Sequence, residues 1–557
     1  MCATTNAAGA QMGQRPGGRD TGRGGNGPSG AIRESGEKAL WLVLSETSYR
    51  RLRAVAQGSA CLLLSILSHG NWIFDSRLLN QKFENPICFG GNMSLPKPEG
   101  RQKEVVYLPA KGHFAILGTA GSGKTTMAIL RALFLSDPNT DHCGNTLLVT
   151  FNVTLVTYLK SLLVGIPNDI IVENYHKVAR GYLNSRGKMR YGAIASNDLR
   201  ERILNQVISD KRAEHGNLPL LNRSADFFVE EVKWISQHGL RTLQDYVAAE
   251  RQGRGHFRMR RAQRPLMFEV YEEYVSRRRD HDKDYDWDDL SCSVSDELDN
   301  DYSPRLYKHI VIDEGQDLSP EMIRSLVKMV PDDGTITFFG DVAQQIYGNR
   351  MSWRSAGLEI AKVWEFEENY RNSKQIARLA LEVSRMPFFE GVPDIVEPKT
   401  PAADGPLPTL VRCSDLNRAA KLATDLGARL AQTQSVAILY RTRSVERILE
   451  PLLPAGSTRL RRDMNEWIDG PGIRYGTFHS SKGLEFDTVI MPFCTLEDLP
   501  NSESVSLFGE EEAMAIDGRL FYVGVTRAKR VLLAIYYDEL TPLMPENKGL
   551  YGVFDDE

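Results

Sequence analysis

The stretch Gly118-Thr119-Ala120-Gly121-Ser122-Gly123-Lys124-Thr125 decides the fold class of this 557-residue chain. It follows an apolar run at residues 114–117 and precedes a segment of helical periodicity at residues 127–135. A glycine-rich turn between a buried strand and a helix, closed by lysine and threonine, is the P-loop pattern. Its backbone N–H groups surround phosphate oxygens, the lysine reaches the β- and γ-phosphates, and the threonine hydroxyl can bind Mg²⁺. The stretch therefore predicts a nucleotide phosphate site on an α/β domain.

Five more apolar runs along the chain have the same strand-like character. They span residues 146–150, 309–312, 336–339, 436–440 and 488–491. Continuous apolar runs are typical of parallel strands that are buried on both faces, and such sheets bind ligands at the carboxyl ends of their strands. Between about residues 181 and 290 the strand pattern gives way to helical periodicity. The chain is therefore predicted to be α/β, with a helical insertion.

The run at residues 309–312 ends in the acidic stretch Asp313-Glu314-Gly315-Gln316-Asp317. An aspartate at a strand end beside a P-loop holds Mg²⁺, and an adjacent glutamate can polarise the attacking water. Two acids after a strand are otherwise an ordinary solvated strand end or helix cap, but the P-loop upstream favours the catalytic interpretation. We therefore predict Asp313 and Thr125 as Mg²⁺ ligands, with Lys124 and Glu314 in the catalytic centre.

The composition excludes several classes of protein. The 68 basic and 72 acidic residues give a net charge of −4, so a nucleic acid would have to be held in a local groove. The seven cysteines are scattered without a C-x-x-C pair, which argues against a disulfide framework and against a zinc or iron–sulfur site. No apolar run is long enough to span a bilayer, so we expect a cytoplasmic protein without a membrane partner. Residues 1–38 are rich in glycine and polar residues and are predicted to be disordered, and the part before Met93 is predicted to be a dispensable extension or a misassigned start.

Several further stretches match known motifs in order. They are Leu148 to Asn152, Asn174 to His176, Gly340 to Tyr347, Asn369 to Arg371, Gly476 to Asp487 and Arg519 to Ala528. With Gln102 upstream of the P-loop, these stretches make the chain resemble the UvrD/Rep/PcrA-type helicases of superfamily 1 from about Gln102 to Lys529. The resemblance implies two RecA-like P-loop motor domains with parallel sheets, an α-helical insertion in the first, and ATP with Mg²⁺ as cofactors.

The resemblance also assigns roles in the nucleotide site. It implies that Gln102 reads adenine, that Tyr370 stacks on it and that Glu485 lies near the ribose. The residues that it assigns to the γ-phosphate are Gln344, Arg371 and Arg527. An arginine supplied to a phosphoryl-transfer site can be worth roughly 10³–10⁵ in rate. Because both arginines belong to the second α/β unit, an ATP bound at the P-loop would need both units to close around it.

Nucleic-acid contacts are assigned in the same way. The residues implied to lie near DNA are Phe151, Asn152, His176, Tyr347, Thr477, His479 and Ser480. In the helical insertion, arginines including Arg254 and Arg258 cluster near an aromatic residue, which suits phosphate contact and base stacking. A solvated, flexible basic loop is the alternative interpretation of that cluster. The stretch Asp286-Trp287-Asp288-Asp289-Leu290 has a counterpart in the family, and we interpret it as structural.

Three departures from the family pattern qualify the resemblance. Thr126 stands where the family has an arginine that covers adenine, so we expect relaxed nucleotide selectivity. Asn349 replaces a tryptophan that serves as a base-stacking platform. Only about 35 residues separate Arg441 from Gly476, where the family inserts a second accessory domain. We therefore expect that domain to be absent or vestigial, which bears on processive duplex opening.

The predicted organisation is a poorly ordered extension at 1–92, a first motor domain at 93–180 and 291–358, a helical accessory insertion at 181–290, and a second motor domain at 359–557. The leading functional interpretation is an ATP-dependent translocase or helicase on single-stranded or partly duplex DNA, with 3′→5′ polarity implied by the family alone. DNA repair, recombination and phage defence are the processes it suggests. Two alternatives remain open: an RNA or RNA–DNA hybrid helicase, and a nucleic-acid-sensing ATPase that acts beside a separate nuclease or repair protein.

Overall fold

A computed structural model of the chain describes residues 87–88, 94–95, 98, 100–163, 170–251, 259–341, 353–366, 369, 371–387, 403–461, 464 and 466–556. The predicted extension at 1–92 lies outside the described residues except for the two-residue strand Ile87–Cys88, which pairs in antiparallel fashion with Ser94–Leu95. Five of the predicted site residues also lie outside them: Arg254, Arg258, Gln344, Tyr347 and Tyr370.

The first sheet consists of six parallel strands. They are β1 (Gly112–Gly118), β2 (Thr146–Thr150), β3 (Ile170–Asn174), β4 (His309–Ile312), β5 (Thr335–Gly340) and β6 (Ile360–Phe366). Their order across the sheet is β3-β2-β4-β5-β1-β6. Strands β2, β4 and β5 are buried along their whole length, as expected for parallel strands that are covered on both faces. The four apolar runs predicted in this part of the chain are therefore confirmed as parallel strands.

The two edge strands of this sheet are the ones that the apolar pattern missed. In the described part of the chain, strand β3 pairs only with β2, and β6 pairs only with β1. Both are largely half-buried or exposed, so they lack the continuous apolar run that marks the inner strands. The position of β6 also corrects the predicted boundary after residue 358, because the first unit extends at least to Phe366.

The second sheet consists of seven strands, again all parallel. They are β7 (Thr409–Cys413), β8 (Ser435–Tyr440), β9 (Thr458–Arg459), β10 (Gly472–Thr477), β11 (Phe486–Met491), β12 (Ala528–Tyr537) and β13 (Gly552–Asp556). Their order is β9-β10-β8-β11-β12-β7-β13. The predicted runs at 436–440 and 488–491 form β8 and β11. The prediction of two α/β units with parallel sheets is therefore confirmed.

The α-helices surround these sheets and form the insertion. They are α1 (Arg101–Val106), α2 (Lys124–Leu135), α3 (Val153–Leu162), α4 (Tyr175–Ser185), α5 (Asn197–His215), α6 (Ala225–His238), α7 (Leu243–Ala248), α8 (Arg264–Asp280), α9 (Leu290–Asp299), α10 (Pro320–Lys328), α11 (Lys374–Ser384), α12 (Leu416–Leu430), α13 (Glu446–Leu449), α14 (Ser502–Phe508) and α15 (Glu510–Thr526). In the part of the chain that the structure describes, no helix is long and apolar enough to cross a bilayer.

The helical insertion has a core of its own. Side chains from α5, α6, α7 and α8 pack together, with Phe228, Tyr246 and Tyr274 fully buried. Residues outside this segment, such as Ala193 and Leu290, instead pack on the first sheet with Ile312 and Phe338. The predicted insertion is therefore present as a packed helical unit, and its core lies between Ile203 and Tyr274.

A short connection joins β9 to β10, at the place where a second accessory domain was predicted to be absent or vestigial. Its Trp467 ring packs edge-on against Tyr158 of α3, with ring centroids 5.3 Å apart, and the Thr157 hydroxyl donates to the Met464 carbonyl at 3.2 Å. The Arg474 guanidinium lies 5.6 Å from the Trp467 ring centroid and donates to the Gly470 carbonyl at 2.7 Å. This β9–β10 connection therefore bridges from the second unit to a helix of the first.

Candidate nucleotide and nucleic-acid sites

The P-loop runs from the end of β1 to the start of α2, as the sequence predicts, although the helix begins at Lys124 rather than at residue 127. Gly121 and Gly123 both have φ +82°, a conformation that glycine adopts without a steric penalty. A Cβ atom at Gly121 would collide with the side chains of Asn369 and Arg371, so the second unit's motif lies directly against the loop. Among the described residues, the loop therefore forms part of the contact between the two units.

The Lys124 side chain is held inside the P-loop by backbone carbonyls of the loop. Its Nζ donates to the carbonyls of Gly118 at 2.8 Å and Thr119 at 2.7 Å, and it lies 3.5 Å from an Asp341 carboxylate oxygen. Burial lowers the pKa of the Lys124 ammonium, and the charge of Asp341 opposes that change. The ammonium is thus positioned at the mouth of the phosphate loop with carbonyl partners that phosphate oxygens could replace.

The predicted acidic pair lies at the carboxyl end of β4. Among the residues that the structure describes, neither buried carboxylate oxygen of Asp313 has a hydrogen-bond partner. Burial and the neighbouring Glu314 raise the pKa of Asp313 to about 7, and the nearby Thr125 hydroxyl opposes the rise. Unpartnered carboxylate oxygens beside a hydroxyl suit a hard cation with oxygen ligands such as Mg²⁺, and a bound divalent cation would keep Asp313 ionised. Asp313 and Thr125 therefore fit the predicted metal site.

Glu314 is held in an unusual backbone conformation with φ 52°, which a residue with a side chain seldom adopts. Its carboxylate accepts a hydrogen bond of 2.6 Å from the Gln316 amide, whose oxygen accepts from the Asp341 N–H at 2.9 Å. Strained backbone positions of this kind concentrate at active sites, where surrounding contacts over-determine them. The contacts of the turn after β4 therefore fix the position of the Glu314 carboxylate.

The second unit contributes two arginines to this region. Arg371 forms an ion pair with Glu485, the residue predicted near the ribose. Arg527 is 1% exposed, and its guanidinium donates to the Val523 carbonyl at 3.0 Å and the Leu484 carbonyl at 3.2 Å. Burial, with the like charge of Arg371, lowers the pKa of Arg527 to about 10. Two arginines therefore lie close together in the second unit.

The electrostatics around Glu314 show that both units reach the same point. Burial alone would raise the pKa of Glu314, but the charges of Lys482, Lys124 and Arg527 lower it below its ordinary value. Lys124 belongs to the first unit, whereas Lys482 and Arg527 belong to the second. Gln102 adds a side chain beside the same loop, with its amide nitrogen 3.5 Å from the Ser122 carbonyl. The described residues predicted to bind ATP therefore surround one interface.

A cleft of about 1020 Å³ lies between the first unit, the insertion and the second unit. The predicted contact residues that the structure describes all line it: Phe151, Asn152, His176, Thr477, His479 and Ser480. Exposed basic residues from both units line it too, among them Lys177, Arg180, Arg443 and Arg461. Basic side chains neutralise backbone phosphates, and aromatic side chains stack on bases. The cleft has the chemistry of a local groove for a nucleic-acid strand.

Comparison with known families assigns both halves of the chain. The family described as the UvrD/REP helicase N-terminal domain matches residues 99–370, and the UvrD-like helicase C-terminal domain matches residues 457–539. The chain belongs to the UvrD/Rep-like superfamily 1 helicases. The two sheets are accordingly the RecA-like motor domains of a UvrD/Rep-like protein.

Individual relatives are distant. The ATP-dependent DNA helicase UvrD2 of Mycobacterium tuberculosis is 24% identical over 385 residues, which cover 64% of this chain and 53% of that protein. YjcD of Bacillus subtilis is 22% identical over 367 residues, which cover 60% of this chain and 44% of that protein. The chain thus spans about half the length of the curated relatives it matches. A crystal structure of the C-terminal domain of a possible DNA helicase from Lactobacillus plantarum is 20% identical, with a TM-score of 0.24, and covers 33% of this chain and 98% of that one.

Two aromatic residues that line the cleft, Trp287 and Phe508, were not predicted as site residues in this UvrD/Rep-like chain. The His176 ring packs edge-on against Phe151 at 5.5 Å and against Trp287 at 5.4 Å between ring centroids. Trp287 is 39% exposed and comes from the stretch that we interpreted as structural. Its neighbours Asp286 and Asp289 do pair with the buried Arg278, so the acidic part of that stretch is structural. The available sequence signal was an aromatic residue flanked by aspartates, at Asp286-Trp287-Asp288-Asp289.

Two other residues, Asn152 and Ser480, have partners that the sequence did not indicate. The Asn152 side chain accepts a hydrogen bond from the Thr154 N–H at 3.0 Å, which caps α3, and donates to the Lys482 carbonyl at 2.7 Å. The Ser480 hydroxyl donates to the Thr477 carbonyl at 2.8 Å. Thr126 is half-buried in the first turn of α2, next to Thr125. Asn152 therefore joins the two motor domains as well as lining the cleft.

Proposed function

We propose that this chain is an ATP- and Mg²⁺-dependent motor that moves along single-stranded DNA in the 3′→5′ direction and opens partly duplex DNA. The observation that carries the proposal is the cleft, where residues of both motor domains face one groove while the same two domains meet at the P-loop. When both domains contact the same ATP and the same strand, closure of the domains on the ATP can displace the strand. The direction of movement rests on the family resemblance.

The nucleotide chemistry follows from the residues at the domain interface. Lys124 would exchange its carbonyl partners for phosphate oxygens, and Arg371 with Arg527 would neutralise charge that develops on the γ-phosphate. Glu314 would orient a water molecule for in-line attack and accept its proton. Thr125 and Asp313 would hold Mg²⁺, which neutralises charge on the β- and γ-phosphate oxygens. Gln102 would read adenine, and Glu485 would lie near the ribose.

Movement along DNA requires that the grip of the two domains alternates. The first domain contacts the strand through Phe151, Asn152 and His176, and the second domain contacts it through Thr477, His479 and Ser480. Stacking of a base on an aromatic side chain is worth about 1–3 kcal/mol, and phosphate contacts add a salt-dependent term. Closure on ATP brings the two sets together and hydrolysis separates them, so each cycle advances the strand. A near-neutral chain that binds through a local groove can release DNA in every cycle.

The test combines ATP hydrolysis with strand displacement by the full chain. We expect oligothymidylate to stimulate ATP turnover, and duplexes with a 3′ single-stranded tail to be opened faster than those with a 5′ tail. Glu314→Gln, which keeps the side-chain shape and removes the base, should abolish both activities while ATP binding persists. Oligouridylate in place of oligothymidylate tests the RNA alternative. ATP turnover that is indifferent to every nucleic acid would contradict the proposal.

The β9–β10 connection favours a second candidate, a nucleic-acid-sensing ATPase that acts beside a separate nuclease or repair protein. The described part of this connection forms a short bridge to α3, at the place where the related helicases insert an accessory domain. A sensor needs strand-dependent ATP turnover and closure, but no duplex opening. ATP turnover that DNA stimulates, without displacement of either tailed duplex, would favour the sensor over the helicase. Phage defence, repair and recombination are the settings in which either activity would serve, in the cytoplasm.

A further inference from the structure

One buried ion pair joins the two motor domains between the cleft and the nucleotide site. Lys482 Nζ lies 2.5 Å from an Asp317 carboxylate oxygen, and the two side chains are 3% and 2% exposed. Removing two charges from water is unfavourable, so a buried pair is weak evidence for stability and calls for another explanation. The pair is therefore a candidate for a role in function.

On the first domain, Asp317 belongs to the turn that holds Glu314. The Asp317 N–H donates to the Glu314 carbonyl at 3.1 Å, and the Gln316 side chain holds the Glu314 carboxylate. Glu314 has a left-handed backbone, and such a conformation depends on the contacts around it. Small shifts of this turn would therefore change where the Glu314 carboxylate points. Asp317 is thus the end of the turn through which the second domain can act on Glu314.

On the second domain, Lys482 belongs to the loop that follows β10 and lines the cleft. Thr477, His479 and Lys482 all line it, and the Lys482 carbonyl accepts the hydrogen bond from Asn152 on the opposite domain. The loop is closely packed, because a Cβ atom at Gly483 would lie 2.5 Å from a methyl carbon of Leu155 in α3. A strand that contacts this loop therefore acts on the residue that carries the ion pair.

We propose that Lys482 and Asp317 are positioning residues that transmit strand binding in the cleft to Glu314, so that nucleic acid stimulates ATP turnover through this ion pair. The inference rests on the proposed function, because it concerns the coupling of the same two sites. When a strand phosphate binds the loop after β10, Lys482 is displaced. Because Lys482 is paired with Asp317, the displacement also moves the turn that fixes Glu314. Neither residue needs to touch ATP for this role.

The experiment compares ATP turnover with and without oligothymidylate for the full chain and four variants. The variants are Lys482→Met, Asp317→Asn, the double variant, and Lys482→Arg. Coupling between two sites is typically worth 5–150-fold, and we expect the single variants to lose about tenfold in the DNA-stimulated kcat. Their Kd for oligothymidylate and for a fluorescent ATP analogue should stay within about twofold, because coupling rather than binding is lost. Lys482→Arg keeps the charge and should retain most of the stimulation.

The double variant keeps the test decisive if a single variant fails to fold, because it leaves no unpaired buried charge. We expect it to be no worse than either single variant, since residues that act as one unit are not additive. Full stimulation in the double variant, or equal loss in Lys482→Arg and Lys482→Met, would overturn the inference. Failure of the proposed function is distinguishable, since it would appear as wild-type turnover that DNA does not stimulate.

Discussion

The two walls of the nucleotide interface are built in different ways. The first domain presents carboxylates and a lysine at the carboxyl ends of parallel strands, where Asp313 has buried oxygens without partners and Lys124 is held by loop carbonyls. The second domain presents two arginines that are already engaged, Arg371 with Glu485 and Arg527 with backbone carbonyls. The polar groups of the first wall are positioned for a ligand, whereas the arginines of the second wall are bonded to groups of their own domain.

In the proposed function this difference separates binding from hydrolysis. The first wall would bind a nucleotide with a metal ion, while the charge that stabilises transfer of the γ-phosphate would come from the second. Because Gly121 lies directly against the Asn369–Arg371 segment, a change in the spacing of the domains alters the second wall's approach to the phosphates. Variants of Lys124 and Asp313 should therefore affect binding and turnover together, whereas variants of Arg371 and Arg527 should affect mainly turnover.

The largest effect is expected for Lys124→Ala. The loss in kcat/KM should exceed the roughly 10³–10⁵-fold cost of removing one arginine from a phosphoryl-transfer site, because phosphate binding is lost as well. Steady-state ATP hydrolysis and titration with a fluorescent ATP analogue measure the two components. Lys160→Ala is the matched control, since that lysine is 47% exposed and forms a surface ion pair with Glu173. Unchanged ATP turnover in Lys124→Ala would refute the P-loop assignment.

Arg371→Lys and Arg527→Lys test the second wall. Each keeps a positive charge but loses the planar fork of the guanidinium, so we expect kcat to fall by up to roughly 10³-fold. ATP affinity should change far less than in Lys124→Ala, since the phosphates remain bound by the first wall. Arg385→Lys, at an exposed arginine after α11, provides the control. If ATP affinity fell as much as kcat, the two walls would not differ as described.

A pair of glycine variants isolates the contact between the walls. Gly121 and Gly123 have the same φ of +82°, but a Cβ at Gly123 would meet only the Gln102 amide nitrogen, at 3.4 Å. Gly121→Ala and Gly123→Ala should therefore share a backbone penalty of about 1–2 kcal/mol. Only Gly121→Ala pushes the domains apart, and such misplacement can cost up to about 10²-fold in kcat. Thermal unfolding beside ATP turnover measures both effects, and equal kcat values would show that the close approach has no catalytic consequence.

The smallest effect is expected at the β9–β10 connection. Trp467→Ala removes the ring that packs on Tyr158, and an aromatic pair is worth about 0.5–1.5 kcal/mol beyond its buried area. If the pair stabilises the closed domains, turnover at saturating ATP should fall by about two- to tenfold. Trp364→Ala, whose ring contacts Lys362 within the first sheet, is the control. An equal effect of the two variants would assign Trp467 to stability alone.

The sequence predicted those parts of the fold and site that depend on short contiguous patterns. The buried inner strands have continuous apolar runs, and the P-loop and the acidic turn are read residue by residue. The edge strand Ile360–Phe366 was missed because exposure on one side breaks its apolar run. Trp287 was interpreted as structural because the stretch around it has a counterpart in the family, and its packing against His176 shows that it lies in the cleft.

Contacts between the domains could not be predicted for a different reason. Asp317 and Lys482 lie within motifs that the sequence identified, yet they are 165 residues apart and nothing local indicates that they pair. The same holds for Tyr158 and Trp467, which meet only because the two domains face each other. Charge pairs and ring contacts across an interface depend on the relative placement of whole domains, which no local pattern encodes.

In the proposed function, ATP hydrolysis between the two walls moves the chain along a strand. ATP-dependent displacement of streptavidin from biotinylated oligothymidylate measures this movement without any duplex to open. We expect rapid displacement from the 5′ end, slow displacement from the 3′ end, and none above the spontaneous rate in Arg527→Lys. Displacement no faster than the spontaneous rate at both ends, in a wild-type chain whose ATP turnover is stimulated by the same oligonucleotide, would contradict the proposed function.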